Sequence, residues 1–308
     1  MKIFLDTEFL EGTQKTRKEK TLIAIILGFC AGLAVVSFLQ KHFFDFSFFV
    51  IAWTVFMYLY GKAKDKTANT IDLISIGIVS EDDREYYAIS KDFNLKEAWN
   101  RYQWTEVSGS ITKPKFKEYW IRENVLRPIF EEFLEKERAY VYKAQNLGVA
   151  ISGEVKDKFT YRRFKKLLKK YGKTNKEIAK EIEEFVYNPE SVRPMGTEEP
   201  IEFYAYYADY DWVVFCWLFG KMIDLPKGFP MYCRDLKQML DEEAENMVRG
   251  FAIGDTDEEK ERMVKRSIKG QLKSFKTFAK FPFNEGKHSA IHDARWGKKL
   301  YEFINTLK

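Results

Sequence analysis

With 308 residues and 45% apolar side chains, the chain can hold one large domain or two ordinary ones around a sizeable core. Lys and Arg number 51 against 46 Asp and Glu, a net charge of +5 that fits a polyanion or an anionic surface as partner without requiring either. The three cysteines (Cys30, Cys216 and Cys233) are odd in number and far apart, which excludes a disulfide framework and a CxxC zinc site, and any histidine chemistry must use His42, His288 or His292.

The chain opens on MKIFLDTEF, which reads as a buried strand. Asp6 and Glu8 are two residues apart, so both point to one face, while Ile3, Leu5, Thr7 and Phe9 take the other. Two carboxylates in an apolar strand are costly unless a cation or hydrogen bonds compensate them. Hard oxygen ligands favour Mg²⁺ or Mn²⁺. A surface pair on an edge strand is the plainer alternative.

Thr21 to Leu39 carries no charge, and FSFFVIAWTVFMYLYG over 46–61 is a second uncharged run. A bilayer core needs about 20 apolar residues per helix. Lys15, Arg17, Lys18 and Lys20 precede the first run, Lys62, Lys64 and Lys66 follow the second, and Lys41 alone lies between them. Positive flanks stay cytoplasmic. The expectation is a transmembrane helical hairpin over 21–61, in contact with the lipid bilayer. It makes the chain a two-pass integral protein of the cytoplasmic membrane, with its remainder, 1–20 and 62–308, forming one discontinuous domain on the cytoplasmic side. A buried soluble hairpin competes with this reading. So does a signal peptide, whose removal would discard Asp6 and Glu8.

Thr70 to Val79 and Arg84 to Ser90 read as two further strands, joined by a tight turn at Glu81, Asp82 and Asp83. Residues 94–130 look mostly helical, with a loop around Ser108, Gly109 and Pro114. The tract from Lys156 to Lys180 is strongly basic, and Tyr161, Phe164, Leu167, Leu168 and Tyr171 recur in it at helical spacing. Ile201 to Ala208 is an aromatic-rich strand, followed by a helix from about Tyr210 to Met222. Met231 to Arg234 is short and extended, Asp235 starts another helix, and a final helix runs from about Ser289 to Leu307. A second basic tract covers Lys260 to Lys280. The order of elements predicts an α/β fold: a mixed sheet of three antiparallel strands and then parallel ones, flanked by helices. The basic tracts are solvated faces, grips on nucleic-acid phosphates or docks on anionic lipid, and sequence does not separate the three.

Asp211 starts the helix DWVVFCWLFG, and Asp209 lies two residues earlier; either can cap that helix. In KHSAIHDARWGKKLYEFI, Ala290, Asp293, Ala294, Gly297, Leu300, Tyr301 and Ile304 share one helical face. Asp293 therefore falls on an apolar stripe, where an unpaired carboxylate is expensive. His288 lies in the loop before the helix, free to reach over a site, whereas His292 lies within the helix and points elsewhere. Taken singly, each histidine is more often structural than catalytic. Taken together, Asp6, Glu8, Asp211 and Asp293 on separate elements, with His288 nearby, suit a two-metal phosphodiesterase. Two ions about 4 Å apart would activate water and stabilise the leaving oxygen. A neutral imidazole can take the proton of the attacking water.

The constellation resembles the DEDD 3′–5′ exonuclease superfamily of the RNase H-like fold, in the branch with a histidine in the third motif. DTEF at 6–9 looks like the first motif, YADYDWVVF the second, and HSAIHDA the third. DTEFLEG, IDLISIGIVSEDDREYYAIS, WIRENVLRPI and the DARW helix are similar to the mycobacterial-type 3′–5′ exoribonuclease-like family. The resemblance implies that Asp6, Glu8, Asp211 and Asp293 hold two Mg²⁺ or Mn²⁺ ions and that His288 is the general base. Asp209 leaves the second-motif choice open. The implied reaction removes nucleoside monophosphates from the 3′ end of single-stranded RNA, with single-stranded DNA as an alternative substrate. An inactive nucleic-acid-binding module is the alternative of another class. Candidate nucleic-acid contacts are Thr7 and Phe9 beside the carboxylates, and Arg162, Arg163, Lys165 and Lys166 in the first basic tract. Related exonucleases are often dimers, so the resemblance allows a homodimer.

Overall fold

The computed structural model of the chain describes residues 1–15, 67–106, 115–147, 156–187, 200–254, 256–284, 286 and 288–308. In chain order these form β1 (Lys2–Lys15), β2 (Thr67–Ser80), β3 (Glu85–Ile89), α1 (Leu95–Asn100), β4 (Gln103–Glu106) and β5 (Lys115–Glu118). A single π-helical turn, Arg122–Leu126, leads into α2 (Arg127–Asn146), followed by α3 (Tyr161–Tyr171), α4 (Asn175–Tyr187), β6 (Glu202–Ala205) and α5 (Ala208–Phe219). The chain closes with β7 (Arg234–Asp235), α6 (Leu236–Phe251), α7 (Asp257–Phe275) and α8 (Ala290–Asn305).

A five-stranded mixed sheet runs β3-β2-β1-β6-β7. β2 and β3 pair antiparallel around the Glu81–Asp83 turn, with Gly77 opposite Tyr87. Glu81 N–H donates to the Lys2 carbonyl at 2.9 Å, so the end of β2 meets the start of β1, as antiparallel neighbours require. β1 and β6 are parallel, with Ile3 opposite Phe203, and β6 and β7 are parallel too. The expected α/β class with a mixed sheet is the observed one, and it is compatible with an RNase H-like fold.

Along one face of β1, Phe4, Asp6, Glu8 and Leu10 follow one another. Phe4 is buried in a core with Leu236 and Leu240 of α6, Phe275 of α7 and Leu300 and Phe303 of α8. Leu10 is buried in a second core with Phe130 and Phe133 of α2 and Phe164 and Leu167 of α3. The two carboxylates thus occupy the stretch of strand between two hydrophobic clusters, which hold it from both ends.

α8 reaches the sheet through a glycine. A Cβ on Gly77 would lie 2.3 Å from the Ala290 carbonyl oxygen and 2.4 Å from the Ile291 Cα, both backbone atoms that cannot move aside alone. The buried Ala290 and Ala294 continue this close approach. Arg295 forks onto Glu85 of β3 at 2.7 and 2.6 Å, and Lys298 Nζ donates to the Ser80 and Glu81 carbonyls. Gly77→Ala is expected to lower the unfolding free energy by about 2–3 kcal/mol, because overpacking outweighs the smaller gain from a stiffer unfolded chain. Denaturant unfolding measures it, and a loss below about 0.5 kcal/mol would contradict the packing described.

By its contacts the chain divides into two units, Met1–Leu10 with Asp72–Lys308, and Glu11–Ile71. Of the second unit, residues 11–15 and 67–71 are described, and they belong to β1 and β2. The expected boundaries at 20 and 62 lie outside the described residues.

Two expectations are corrected. Among the described residues no helix is long and apolar enough to cross a membrane. α2 has the length, at 20 residues, but it carries Glu131, Glu132, Glu135, Lys136, Glu137 and Arg138 in its middle. The fold class therefore loses its transmembrane hairpin, and the two-pass integral placement with its bilayer contact is not supported; residues 21–61, from which both were argued, lie outside the described residues. The second correction concerns 94–130. α1 ends at Asn100, and β4 and β5 pair antiparallel with Trp104 opposite Lys117.

Candidate active site

A cavity of about 450 Å³ opens beside β1, lined by Asp6, Thr7, Glu8 and Phe9, by Tyr206, Tyr207, Tyr210 and Asp211, and by Asn284, His288, Asp293 and Trp296. Three segments far apart in sequence meet there. β1 supplies the first group, the turn from β6 into α5 the second, and α8 with its preceding loop the third.

The β6–α5 turn is sharp. Tyr207 adopts a left-handed backbone, φ 59°. Asp235 holds this turn: its carboxylate accepts from Tyr207 N–H and Ala208 N–H, each at 3.2 Å, and from Lys237 N–H at 2.7 Å at the start of α6. Asp211, in the first turn of α5, is then buried and faces β1, where Thr7 donates to its Oδ1 twice, from N–H at 2.9 Å and from Oγ1 at 2.5 Å. Asp209 is exposed and does not line the cavity. Thr7→Val keeps the shape and the N–H but removes the hydroxyl donor. It is expected to cost about 1–2 kcal/mol of stability in denaturant unfolding, and wild-type stability would mean that the hydroxyl does not hold Asp211.

Asp293 is held from the other side. Asn284 Nδ2 donates to its Oδ1 at 2.5 Å and His288 N–H to its Oδ2 at 3.0 Å. His288 has φ 66°, a conformation that costs a non-glycine residue about 1–3 kcal/mol and is kept where the surroundings over-determine it. Its ring meets Trp120 edge to face, with centroids 4.7 Å apart. His292 is exposed, and its ring covers Gly286 closely enough to exclude a side chain there.

Carboxylate oxygens of Asp6, Glu8 and Asp293 lie within 4.8 Å of one another. Asp211 lines the same cavity but stands outside this trio, with one oxygen given to Thr7. The charges feel one another. Burial, then Asp211, Asp293 and Glu8, push Asp6 well above the ordinary carboxylate range. Burial, then Asp293 and Asp211, push Glu8 to about 8. Burial raises Asp211 to about 7 against the pull of the Thr7 hydrogen bonds, with Asp293 adding to the rise. Among the described residues, no Lys or Arg lines the cavity to offset them. Clustered hard oxygen donors with no cationic partner fit a divalent ion such as Mg²⁺ or Mn²⁺.

No family model matches the chain. Two curated proteins from two strains of Mycobacterium tuberculosis, each named a 3′–5′ exoribonuclease, are 28% identical to it over 182 residues, covering 59% of this chain and 72% of theirs. This chain is similar to those exoribonucleases. The similarity supports an exonuclease family.

The structure thus brings Asp6, Glu8, Asp211, Asp293 and His288 to one cavity. It does not bring Arg162, Arg163, Lys165 and Lys166 there. Arg162, Lys165 and Lys166 are exposed on α3, whose apolar face packs into the α2 core. Arg163 pairs with Glu137 of α2 at 3.5 Å. Thr7 lines the cavity, but its hydroxyl is committed to Asp211, and Phe9 stacks on Tyr210 with centroids 5.7 Å apart. Sequence reasoning missed Asn284 and Trp120, which position Asp293 and His288, and Tyr206 and Trp296, which wall the cavity. Asn284 lies in a loop without periodicity, so nothing local marks it. Trp120 stands out only as a large ring beside WIRENVL.

Proposed function

We propose that the chain is a metal-dependent 3′–5′ exoribonuclease of the DEDD type with histidine in its third motif, acting on single-stranded RNA. The observation that carries this reading is the gathering of Asp6, Glu8 and Asp293 within 4.8 Å in a cavity shared with Asp211 and His288. The similarity to proteins named 3′–5′ exoribonuclease supplies the substrate class and polarity.

Asp6, Glu8 and Asp293 would hold the divalent ions, two in number, with the free oxygen of Asp211 completing the set. Bound there, the ions supply Lewis-acid stabilisation of the charge that develops on phosphate in an in-line displacement. The remaining work falls to the protein. Thr7 and Asn284 fix the directions of the Asp211 and Asp293 carboxylates. The stacked Phe9 and Tyr210 offer an aromatic surface at the cavity for the terminal base. The His288 imidazole takes one proton from the attacking water, whose oxygen bonds to phosphorus. The bond from phosphorus to the 3′ oxygen of the preceding nucleotide breaks, and that oxygen leaves with the shortened strand. The product is a nucleoside 5′-monophosphate.

The test uses the full chain with Mn²⁺ and 5′-labelled oligonucleotides. A ladder shortening from the 3′ end of RNA, stopped by a blocked 3′ end, is expected. Internal cuts, or shortening of DNA in preference to RNA, would overturn the reading.

A further inference from the structure

The β4–β5 ribbon stands apart from the main sheet as a two-stranded unit. Its register pairs Trp104 with Lys117 and Glu106 with Lys115. By alternation, Tyr102, Trp104, Glu106, Lys115, Lys117 and Tyr119 share one face, on which Lys115 pairs with Glu106 at 3.6 Å. The rings form a connected row: Tyr119 lies 6.0 Å from Tyr102, and Tyr102 lies 5.8 Å from Trp104. Cations line the row. Lys117 Nζ sits 4.3 Å from the Tyr102 ring centre and 5.6 Å from that of Trp104, and the Arg122 guanidinium sits 3.8 Å from Tyr119. Trp104 is 59% exposed and Tyr102 is 44% exposed. An isolated hairpin is marginal in water, so two open rings on one face leave its folding energy unused. The row also leads to the cavity. Tyr119 is the neighbour of Trp120, and the Trp120 ring touches His288.

We infer that this ribbon face is the track for the upstream part of a single-stranded RNA whose 3′ end lies in the cavity. Bases stack on Trp104 and Tyr102, and backbone phosphates meet Lys117 and Arg122. Every base has a π-face and every linkage a charge, so such a surface holds any sequence. This rests on the exoribonuclease reading and deepens it. It accounts for an aromatic–cationic surface that the carboxylate chemistry does not need.

The experiment compares the full-length wild type with a Tyr102→Ala/Trp104→Ala double variant and, separately, Lys117→Glu. KM is measured on a trinucleotide and on a long oligoribonucleotide. Anisotropy measures binding of the long strand, carrying a blocked 3′ end. Wild type is expected to show a much lower KM for the long substrate. The variants lose that length dependence, and their affinity for the long strand falls about tenfold. Trp217→Ala removes an exposed ring on α5 and keeps the wild-type dependence. Length dependence that survives in both ribbon variants overturns the inference while leaving the exoribonuclease reading intact. No RNA hydrolysis by wild type overturns that reading itself. A wild-type dimer that the ribbon variants convert to monomer, with unchanged RNA affinity, assigns the face to a second copy and overturns the track.

Discussion

Asp6→Asn is expected to lower RNA hydrolysis by a factor on the order of 10³ while making the metal-free protein more stable. The two effects share one cause. Asp6 is pushed well above its ordinary pKa by burial and by three carboxylate neighbours, Asp211, Asp293 and Glu8. Removing its charge relieves that repulsion in the absence of metal. The same charge is what a divalent ion binds, and losing roughly 4 kcal/mol of transition-state charge stabilisation corresponds to that rate factor. Mn²⁺ at about 100 times its Kd is expected to stabilise wild type by about 2.7 kcal/mol and the variant by far less. Thermal unfolding with and without Mn²⁺ reads both stability effects without an activity assay, and RNA hydrolysis reads the rate. A variant less stable than wild type in chelator would show that Asp6 is a structural partner and not one member of a repelling cluster.

His288→Ala is expected to lower kcat by about 10²–10⁴, the usual worth of a positioned general base. The fold should tolerate the change with modest loss. The bond that ties His288 to Asp293 comes from its backbone N–H, which alanine keeps. What alanine loses is the ring seated on Trp120. The variant should therefore retain the full Mn²⁺-induced stabilisation that Asp6→Asn loses. This contrast separates a proton carrier from a member of the metal-binding set. Unchanged kcat, or loss of the Mn²⁺ effect together with activity, would remove His288 from the proton-transfer role.

Much of the architecture was legible wherever an apolar pattern was long. MKIFLDTEF and TIDLISIGIV each carry enough consecutive apolar residues to read as buried strands, and Glu81 to Asp83 reads as the turn that the structure contains. The stripe Ala290, Ala294, Gly297, Leu300 and Ile304 named the buried face of α8. Elements with short or diluted patterns were not legible. β4 and β5 have four residues each, QWTE and KFKE, and their alternation is masked by charges on both faces. α7 reads as a basic tract, yet Val264, Ile268, Leu272 and Phe275 recur at helical spacing and pack with or beside α6. Of the apolar runs over 21–61, the first met the length rule for a spanning helix and the second fell slightly short; no described helix supports a span.

The candidate site was legible in its acids and not in its supports. Asp6 and Glu8 are visible because charge in an apolar strand violates the pattern, and Asp293 because it interrupts an apolar stripe. Thr7 was expected to contact nucleic acid beside the carboxylates; in the structure its hydroxyl serves Asp211 of α5. Asn284 and Asp235 act through loop backbone and side-chain geometry that leaves no periodic trace. Arg163 looked like a phosphate ligand because charge alone does not reveal a partner such as Glu137 on a neighbouring helix.

The proposed function requires the carboxylates gathered beside β1 to bind divalent ions in order to hydrolyse RNA. Titrating metal-free full-length protein with Mn²⁺ tests it most directly, with bound metal and released nucleoside monophosphate followed in the same samples. Expected are no hydrolysis without metal, activity that rises in step with occupancy, and neither binding nor activity at the wild-type level in Asp6→Asn. Hydrolysis that persists in chelator, or an Asp6→Asn protein that binds Mn²⁺ and degrades RNA like wild type, would contradict it.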